Sequence, residues 1–329
     1  MVKANGYGHG ALPVGRAALQ GGAWGLAVAT LDEARELAGE ELGPRLMVLG
    51  GLAPQEAAEA AAIGCAVTCS SWEVARALAA AGRPERPVPV HLKIDTGMGR
   101  YGVQPEQAPA LAGWIAAEPG LVLAGTTTHF ASSESDRVLT EAQHRLFLRV
   151  LADLGAEPGL RHASNSAAVF RHPELGLDAV RTGIALYGCE AAGTGLRPAL
   201  QLRALVTHVK RLSAGAAVGY GSLWRAERES TIATVAIGYA DGVHRARSGR
   251  GEVLVAGSRA PLIGRVSMDA IVLDVTEAGG VEPGSAATLI GRDGAHLISA
   301  EEVGEWSGTI SYEVLTSIGN RVERRYQAG

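Results

Sequence analysis

From residue 1 to about 190 the chain repeats one unit: a short run of β-branched and apolar residues, a small or polar turn, then a stretch with apolar residues at helical spacing. Eight such runs stand out, at Met1–Ala4, Trp24–Ala29, Leu46–Gly50, Ala66–Ser70, Val90–Asp95, Leu123–Phe130, Leu160–Asn165 and Val180–Tyr187. The stretches between them are Ala-rich and amphipathic. Examples are Leu31–Ala38, Pro54–Ile63, which opens on a proline at a first-turn position, and Ser71–Ala81. Eight successive β/α units predict an α/β fold of the TIM-type (β/α)8 barrel kind, with functional groups gathered at the C-terminal ends of the strands. After Gly188 the pattern changes. Cys189–Arg197 reads as a Gly- and Ala-rich linker, and Leu202–Val209, Thr231–Ile237, Glu252–Val255, Ile271–Val275 and Ala286–Ile290 follow as strands without long helices between them. A barrel over residues 1–192 and a mainly β domain over residues 193–329 are therefore expected.

The 329 residues, 47% hydrophobic and 19% charged, suffice for a large core. Thirty basic against 34 acidic residues, a formal charge of −4 and no basic stripe exclude nucleic acid as a natural partner. No apolar run approaches the roughly 18–20 residues of a membrane span, and no basic segment followed by an apolar core opens the chain, so no membrane partner and a cytoplasmic location are expected. Cys65, Cys69 and Cys189 have neither C-x-x-C nor zinc-site spacing, and are expected as buried thiols with no metal. Of the 30 basic residues only Lys3, Lys93 and Lys210 are lysines. Chemistry that needs an amine has three candidates.

Unusual polar clusters fall where the barrel rule puts function. Strand one ends in Lys3-Ala-Asn-Gly-Tyr-Gly-His-Gly10, strand five in Lys93-Ile-Asp-Thr-Gly-Met-Gly-Arg100 and strand six in Thr126-Thr-Thr-His-Phe130. Strand seven ends in His162-Ala-Ser-Asn-Ser166 and strand eight in Arg181-Thr-Gly-Ile184. A lysine at the end of a buried strand is costly unless its amine is paired, lowered in pKa or converted to an imine, so Lys3 suits Schiff-base chemistry with an aldehyde cofactor. A plain surface lysine is the alternative. The Ser164–Ser166 and Thr182–Ile184 turns could offer hydroxyl and N–H donors to a phosphate, or could simply cap helices. Arg181 stands beside them, either in a rim salt bridge or facing a pyridine nitrogen. A guanidinium there would keep that nitrogen unprotonated, a weaker electron sink than one partnered by a carboxylate.

Val2-Lys-Ala-Asn-Gly-Tyr-Gly-His-Gly10 resembles the cofactor-lysine signature of the alanine racemase family. Lys93–Arg100, His162–Ser166 with Arg181–Gly188, Ile237–Gly242 and Arg265–Asp269 match that family in the same order, so the resemblance spans essentially the whole chain. It implies a fold-type III pyridoxal 5'-phosphate enzyme that interconverts L- and D-alanine and supplies D-alanine for peptidoglycan. It also implies a head-to-tail homodimer with shared active sites. By motif, Lys3 would bind the cofactor and act as one base, with Tyr239 of the partner subunit as the other. Arg181 would partner the pyridine nitrogen, and Tyr7, Ser166, Gly183, Ile184 and Tyr312 would surround the phosphate. Arg100 would bond the cofactor phenolate and hold the substrate carboxylate, while Met268 and Asp269 would line the site from the other subunit. His129 and Asn165 would be supporting residues, and Lys93 matches a position that can be carbamylated to steady the arginine.

Two bases on opposite faces suffice for racemisation, which removes the α-proton from one face and returns a proton to the other. Lysine and tyrosine both titrate near pH 10, so each must be shifted or paired to work near neutrality. Relatives place a strand and a helix ahead of the lysine block, whereas here the block starts at residue 2; strand one is therefore expected to be almost missing and the barrel open or patched. The lysine block also reads Asn5-Gly6-Tyr7 where Asn-Ala-Tyr is commoner, a change expected to cost little. A broad-specificity or serine racemase is the alternative within this fold. A non-catalytic cofactor-binding protein would lack the β domain, and a decarboxylase would carry an acidic residue in place of Arg181.

Overall fold

In the first half of the chain the apolar runs form six strands: β1 (Leu26–Val28), β2 (Leu46–Val48), β3 (Ala66–Cys69), β4 (Val88–Lys93), β5 (Leu121–Thr127) and β6 (Leu160–His162). They pair in parallel and in sequence order, which is what helical crossovers between neighbouring strands impose. The helices are α1 (Ala11–Gln20), α2 (Leu31–Ala38), α3 (Ala57–Ile63), α4 (Trp72–Ala81), α5 (Ala108–Ala117), α6 (Arg137–Ala152) and α7 (Ser166–Arg171). Helix starts follow from local chemistry. Thr30 accepts from the Glu33 N–H while the Glu33 carboxylate accepts from the Thr30 N–H, a capping box at α2. Ser71 accepts from Val74 N at 3.3 Å and so lies just outside α4. The proline-led stretch splits into a 3₁₀ turn at Pro54–Glu56 followed by α3.

This is a computed structural model describing residues 1–39, 45–189 and 194–327; residues 190–193 of the expected linker lie outside that set. It comprises two units, Met1–Gly6 with Gly10–Leu186, and Tyr7–His9 with Tyr187–Gly329. In the first, Val28, Val48, Val67, Val90, Leu92 and Ile94 are fully buried against Ala34, Ala60, Ala75, Leu78, Leu111 and Ile115. Each such leucine or valine contributes about 1.5–3 kcal/mol of burial.

Two of the eight expected strands do not form. Where strand one was placed, only Val2 N bonds to β1, at Ala27 O (2.9 Å), before the backbone turns away at Ala4. Where strand eight was placed, Ala179 bridges His162, Arg181 N donates to Ser164 O at 2.9 Å, and a 3₁₀ turn at Ile184–Tyr187 ends the run. The Met1 amine donates to Thr182 O at 3.0 Å. Single backbone bonds therefore stand where ladders were expected, and a closed eight-stranded barrel is not formed by strand pairing among the described residues.

The second unit is mainly β. Its strands are β7 (Leu202–Leu212), β8 (Ala217–Val218), β9 (Trp224–Arg225), β10 (Ser230–Val235), β11 (Glu252–Val255), β12 (Ser258–Ile263), β13 (Ile271–Asp274), β14 (Ala286–Asp293) and β15 (His296–Ile298). Seven form one antiparallel sheet in the order β11-β12-β13-β10-β7-β14-β15, and an added β11–β14 pairing closes six of them into a small barrel. β8 and β9 make a separate hairpin. β12 escaped the sequence pattern because Pro261 interrupts it, although Leu262 N still reaches Gly251 O at 3.0 Å. Helices α8 (Ala300–Ser307) and α9 (Ser311–Thr316) follow. No helix among the described residues is long and apolar enough to cross a membrane.

Candidate active site

Lys3 opens a left-handed turn. Ala4, Asn5 and Gly6 have φ/ψ of 50/53, 52/49 and 60/46, and Tyr7 has φ 51. For an L residue this hand costs roughly 1–2 kcal/mol, so Ala4, Asn5 and Tyr7 are strained and need outside support. Glu33 supplies part of it: one carboxylate oxygen accepts from Ala4 N at 2.6 Å, the other from Ala29 N at 2.8 Å. The Asn5 side chain accepts from Ala11 N at 3.0 Å. At Lys3 itself burial and then Arg100 lower the pKa, against a smaller opposing pull from Glu33.

Arg181 is the most heavily engaged cation. Nη1 donates to Thr127 Oγ1 (3.1 Å) and His162 Nδ1 (2.6 Å), and Nη2 to Thr128 O (2.8 Å), Ala163 O (2.8 Å) and His129 Nδ1 (3.1 Å). Burial lowers its pKa to about 10, so it stays charged at neutral pH. Nε–H has no hydrogen-bond partner among the described residues, which leaves one donor for a ligand. His129, held by Gln143 Nε2 donating to its carbonyl at 3.1 Å, is pushed down to about 2 by burial and then by Arg181, Lys93, Arg100 and Lys3. It is a neutral imidazole.

Lys93, at the end of β4, is 8% exposed and its amine has no acceptor among the described residues. Burial, then Arg181 and Arg100, lower its pKa to about 7, with Asp95 opposing. Asp95 is already occupied: Oδ1 accepts from Gly97, Met98 and Gly99 N–H at 3.0, 2.9 and 3.1 Å, which shapes the loop leading to Arg100. Lys3, Lys93, Arg100 and Arg181 thus act on one another electrostatically, with Glu33 opposing at Lys3 and Asp95 at Lys93. Such a set fits a multiply anionic ligand, as a phosphorylated aldehyde with an amino-acid carboxylate would be.

Asn165 caps α7, its Oδ1 accepting from Ala168 N (3.0 Å) and from Ser133 Oγ (2.7 Å). Ser166 Oγ accepts from Gly183 N (2.8 Å) and Ala185 N (3.3 Å), so Ser166, Gly183 and Ile184 gather where the short turn at Ile184 begins.

The remaining candidates belong to the second unit. Tyr7 packs against Tyr187 (ring centroids 4.8 Å apart) and Tyr312 (6.1 Å), and burial raises its pKa to about 12. Its neighbours are fixed by Arg324 Nε donating to Gly8 O (3.1 Å) and Tyr326 Oη donating to His9 O (2.9 Å). A side chain at Gly8 would put Cβ 2.1 Å from Leu315 O, so glycine is required there. Tyr239, 43% exposed, opens a 3₁₀ turn whose N–H donates to Ser267 O at 3.0 Å. It lines an open cleft of about 430 Å³ with His244, Arg245 and Glu313. Arg321 ties the turn to the Met268–Asp269 loop, pairing with Asp241 (3.3 Å) and Asp269 (2.8 Å). Met268 is half-exposed beside it.

Sequence reasoning passed over Glu33, His91 and Arg321. The Thr30–Glu33 capping box was legible, and so was the placement of His91 two residues before Lys93 on one strand face. Nothing in sequence spacing links Arg321 to residues 52 and 80 positions away.

Residues 1–191 match the family model "Alanine racemase, N-terminal domain", and residues 199–326 match "Alanine racemase, C-terminal domain". An alanine racemase of Desulforamulus reducens is 43% identical over 99% of this chain and 90% of its own length. One of Methanococcus maripaludis is 37% identical over 99% and 90%. The crystal structure of alanine racemase from D-cycloserine-producing Streptomyces lavendulae superposes with a TM-score of 0.93 at 38% identity, covering 100% of this chain and 90% of that one. The Bacillus anthracis alanine racemase with bound L-Ala-P gives 0.90 at 38% identity over 98% and 86%. These matches make the chain an amino-acid racemase, an isomerase. Within that class, the chain belongs to the alanine racemase family.

Proposed function

We propose that the chain interconverts L- and D-alanine with pyridoxal 5'-phosphate, as a homodimer in which Lys3 and Tyr239 of the partner subunit are the two bases. The observation that carries this reading is the cationic cluster of Lys3, Arg100 and Arg181 that acts on the buried Lys93 and His129. When bound, pyridoxal phosphate supplies the electron sink that acidifies the α-proton of an amino acid. Arg181 would offer Nε–H to the ring nitrogen and, being charged, would leave that nitrogen an acceptor. By the family resemblance, Ser166, Gly183, Ile184, Tyr7 and Tyr312 would hold the phosphate. Arg100 would bond the cofactor phenolate and help hold the substrate carboxylate, with Met268 and Asp269 of the partner subunit lining the small side-chain space. Lys3 moves a proton at Nζ on one face and Tyr239 at Oη on the other, and His129 and Asn165 keep the surrounding groups in place.

Lys93 is carbamylated in this reading. A lysine reacts with carbon dioxide through its neutral amine: the N–C bond forms and a proton leaves. An amine held near pH 7 is neutral for much of the time, and the anionic product sits beside Arg100 and Arg181. Residues 1–192 form the cofactor domain, with residues 1–2 and 179–182 in the places of strands one and eight of a (β/α)8 barrel. Residues 193–329 complete the partner's site. The product serves peptidoglycan synthesis in the cytoplasm.

The deciding experiment adds pyridoxal phosphate to purified protein, records the visible absorbance of a lysine-bound cofactor, and follows loss of optical rotation of L-alanine. Lys3→Ala should lose both the band and the racemisation. A wild-type chain that takes up the cofactor yet leaves L-alanine unchanged overturns the proposal.

A further inference from the structure

His91 and His162 are buried and stand two strands apart, on β4 and β6. They meet nonetheless: His91 Nδ1 lies 2.9 Å from His162 Nε2, with ring centroids 5.0 Å apart. The intervening strand permits this because residue 125 of β5, in register with His91, is glycine. A Cβ there would fall 2.4 Å from His91 Nδ1, inside the space the ring crosses. At the far side His162 Nδ1 lies 2.6 Å from Arg181 Nη1. A line of three groups therefore runs across the sheet interior from His91 through His162 to the arginine.

Donor chemistry fixes the direction of this line. Guanidinium only donates, so His162 Nδ1 must accept, and a neutral His162 then carries its proton on Nε2. That N–H is buried and needs an acceptor. Arg181 offers none, whereas His91 Nδ1 lies at hydrogen-bond distance.

We infer that His91 is a positioning residue: by accepting from His162 Nε2–H it locks the His162 tautomer whose Nδ1 holds Arg181. Burial and Arg181 lower the pKa of both rings, as neutral links beside a fixed cation require. Hydrogen bonds in series polarise one another, so the His91 contact also makes His162 Nδ1 a better acceptor. Without it, a buried N–H is orphaned and the ring can turn, which releases one of the five contacts that aim Arg181.

The inference rests on the reading of Arg181 as the ring-nitrogen partner, but its first test does not. Side-chain ¹⁵N NMR of the cofactor-free wild-type protein at pH 7 should show His162 protonated at Nε2 and bare at Nδ1, and His91 likewise. A proton on His162 Nδ1, or a charged ring at either residue, overturns the inference whatever the enzyme's activity. The second test compares His91→Leu, which removes the acceptor, with His91→Asn, whose amide oxygen can take the place of Nδ1. The dissociation constant for pyridoxal phosphate should rise about tenfold in the leucine variant, the scale of one unsatisfied buried donor, and stay within about twofold in the asparagine variant. Equal losses in both, or none in the leucine variant, reduce His91 to a space-filling role. Should His91→Leu fail to fold, the tautomers and the asparagine variant decide. A wild-type chain that binds no cofactor counts against the proposed function and leaves the tautomer result standing.

Discussion

Replacing Lys93 by methionine removes a buried amine and keeps most of its volume. The amine's pKa falls from 10.5 to about 7 on folding. Because the folded value is depressed, the unfolded chain binds more protons between these limits, and stability rises with pH across them. The penalty is fully present below about pH 7 and fades towards pH 10.5. At about 1.4 kcal/mol per pH unit, Lys93 costs the carbon-dioxide-free protein about 4 kcal/mol at pH 7 and about 2 kcal/mol at pH 9. Lys93→Met should therefore be the more stable protein in urea denaturation at pH 7, and its advantage should shrink by about 2 kcal/mol at pH 9. Packing differences alter the size of the advantage but not its change with pH, which makes the slope the informative quantity. Added bicarbonate should stabilise the wild type, give a labelled carbamate signal with ¹³C carbon dioxide, and leave the methionine variant unaffected. An advantage that is absent, or equal at the two pH values, refutes the reasoning.

Gly6→Ala would put an L side chain at φ 60 with its Cβ 3.2 Å from the Ala11 backbone, so it should lower stability by about 1 kcal/mol and the melting temperature by roughly 2–4 °C. The glycine in Asn5-Gly6-Tyr7 thus relaxes a strained turn; an unchanged melting curve would contradict this. Tyr239→Phe should keep the cofactor bound while abolishing α-proton exchange from one enantiomer of alanine only, read by deuterium incorporation, and equal loss from both would refute the division of labour. Mixing inactive Lys3→Ala and Tyr239→Phe chains should restore activity, because a mixed dimer holds one site with both bases. No recovery after demonstrated subunit exchange would sink the shared-site proposal.

The β/α period and the strand-end clusters were legible because they are local: a hydrophobic run, a cap and a turn are each read within about ten residues. Strands β2 and β3 and helix α2 lie where periodicity places them. Strand one, expected to be almost missing, is reduced to a single backbone bond, and the eighth strand was misread for a local reason as well. Val2-Lys3-Ala4 looks extended by composition, but the left-handed turn held by Glu33 and Asn5 overrides it, and the 3₁₀ turn at Ile184 cuts short an apolar run. In the second unit, Pro261 hid a strand that its neighbours secure.

By itself the sequence determined the order of elements, the two-part organisation and the residue types that carry the chemistry, since periodicity and side-chain chemistry are written along the chain. Only the tertiary structure decided how those residues are tuned. The Lys93 pKa falls to about 7 because packing buries it near Arg181 and Arg100, Arg181 is aimed by five contacts drawn from two other segments, and His91 reaches His162 because a glycine stands between them on a third strand. Burial and electrostatics act through space between residues far apart in sequence, so no spacing along the chain encodes them.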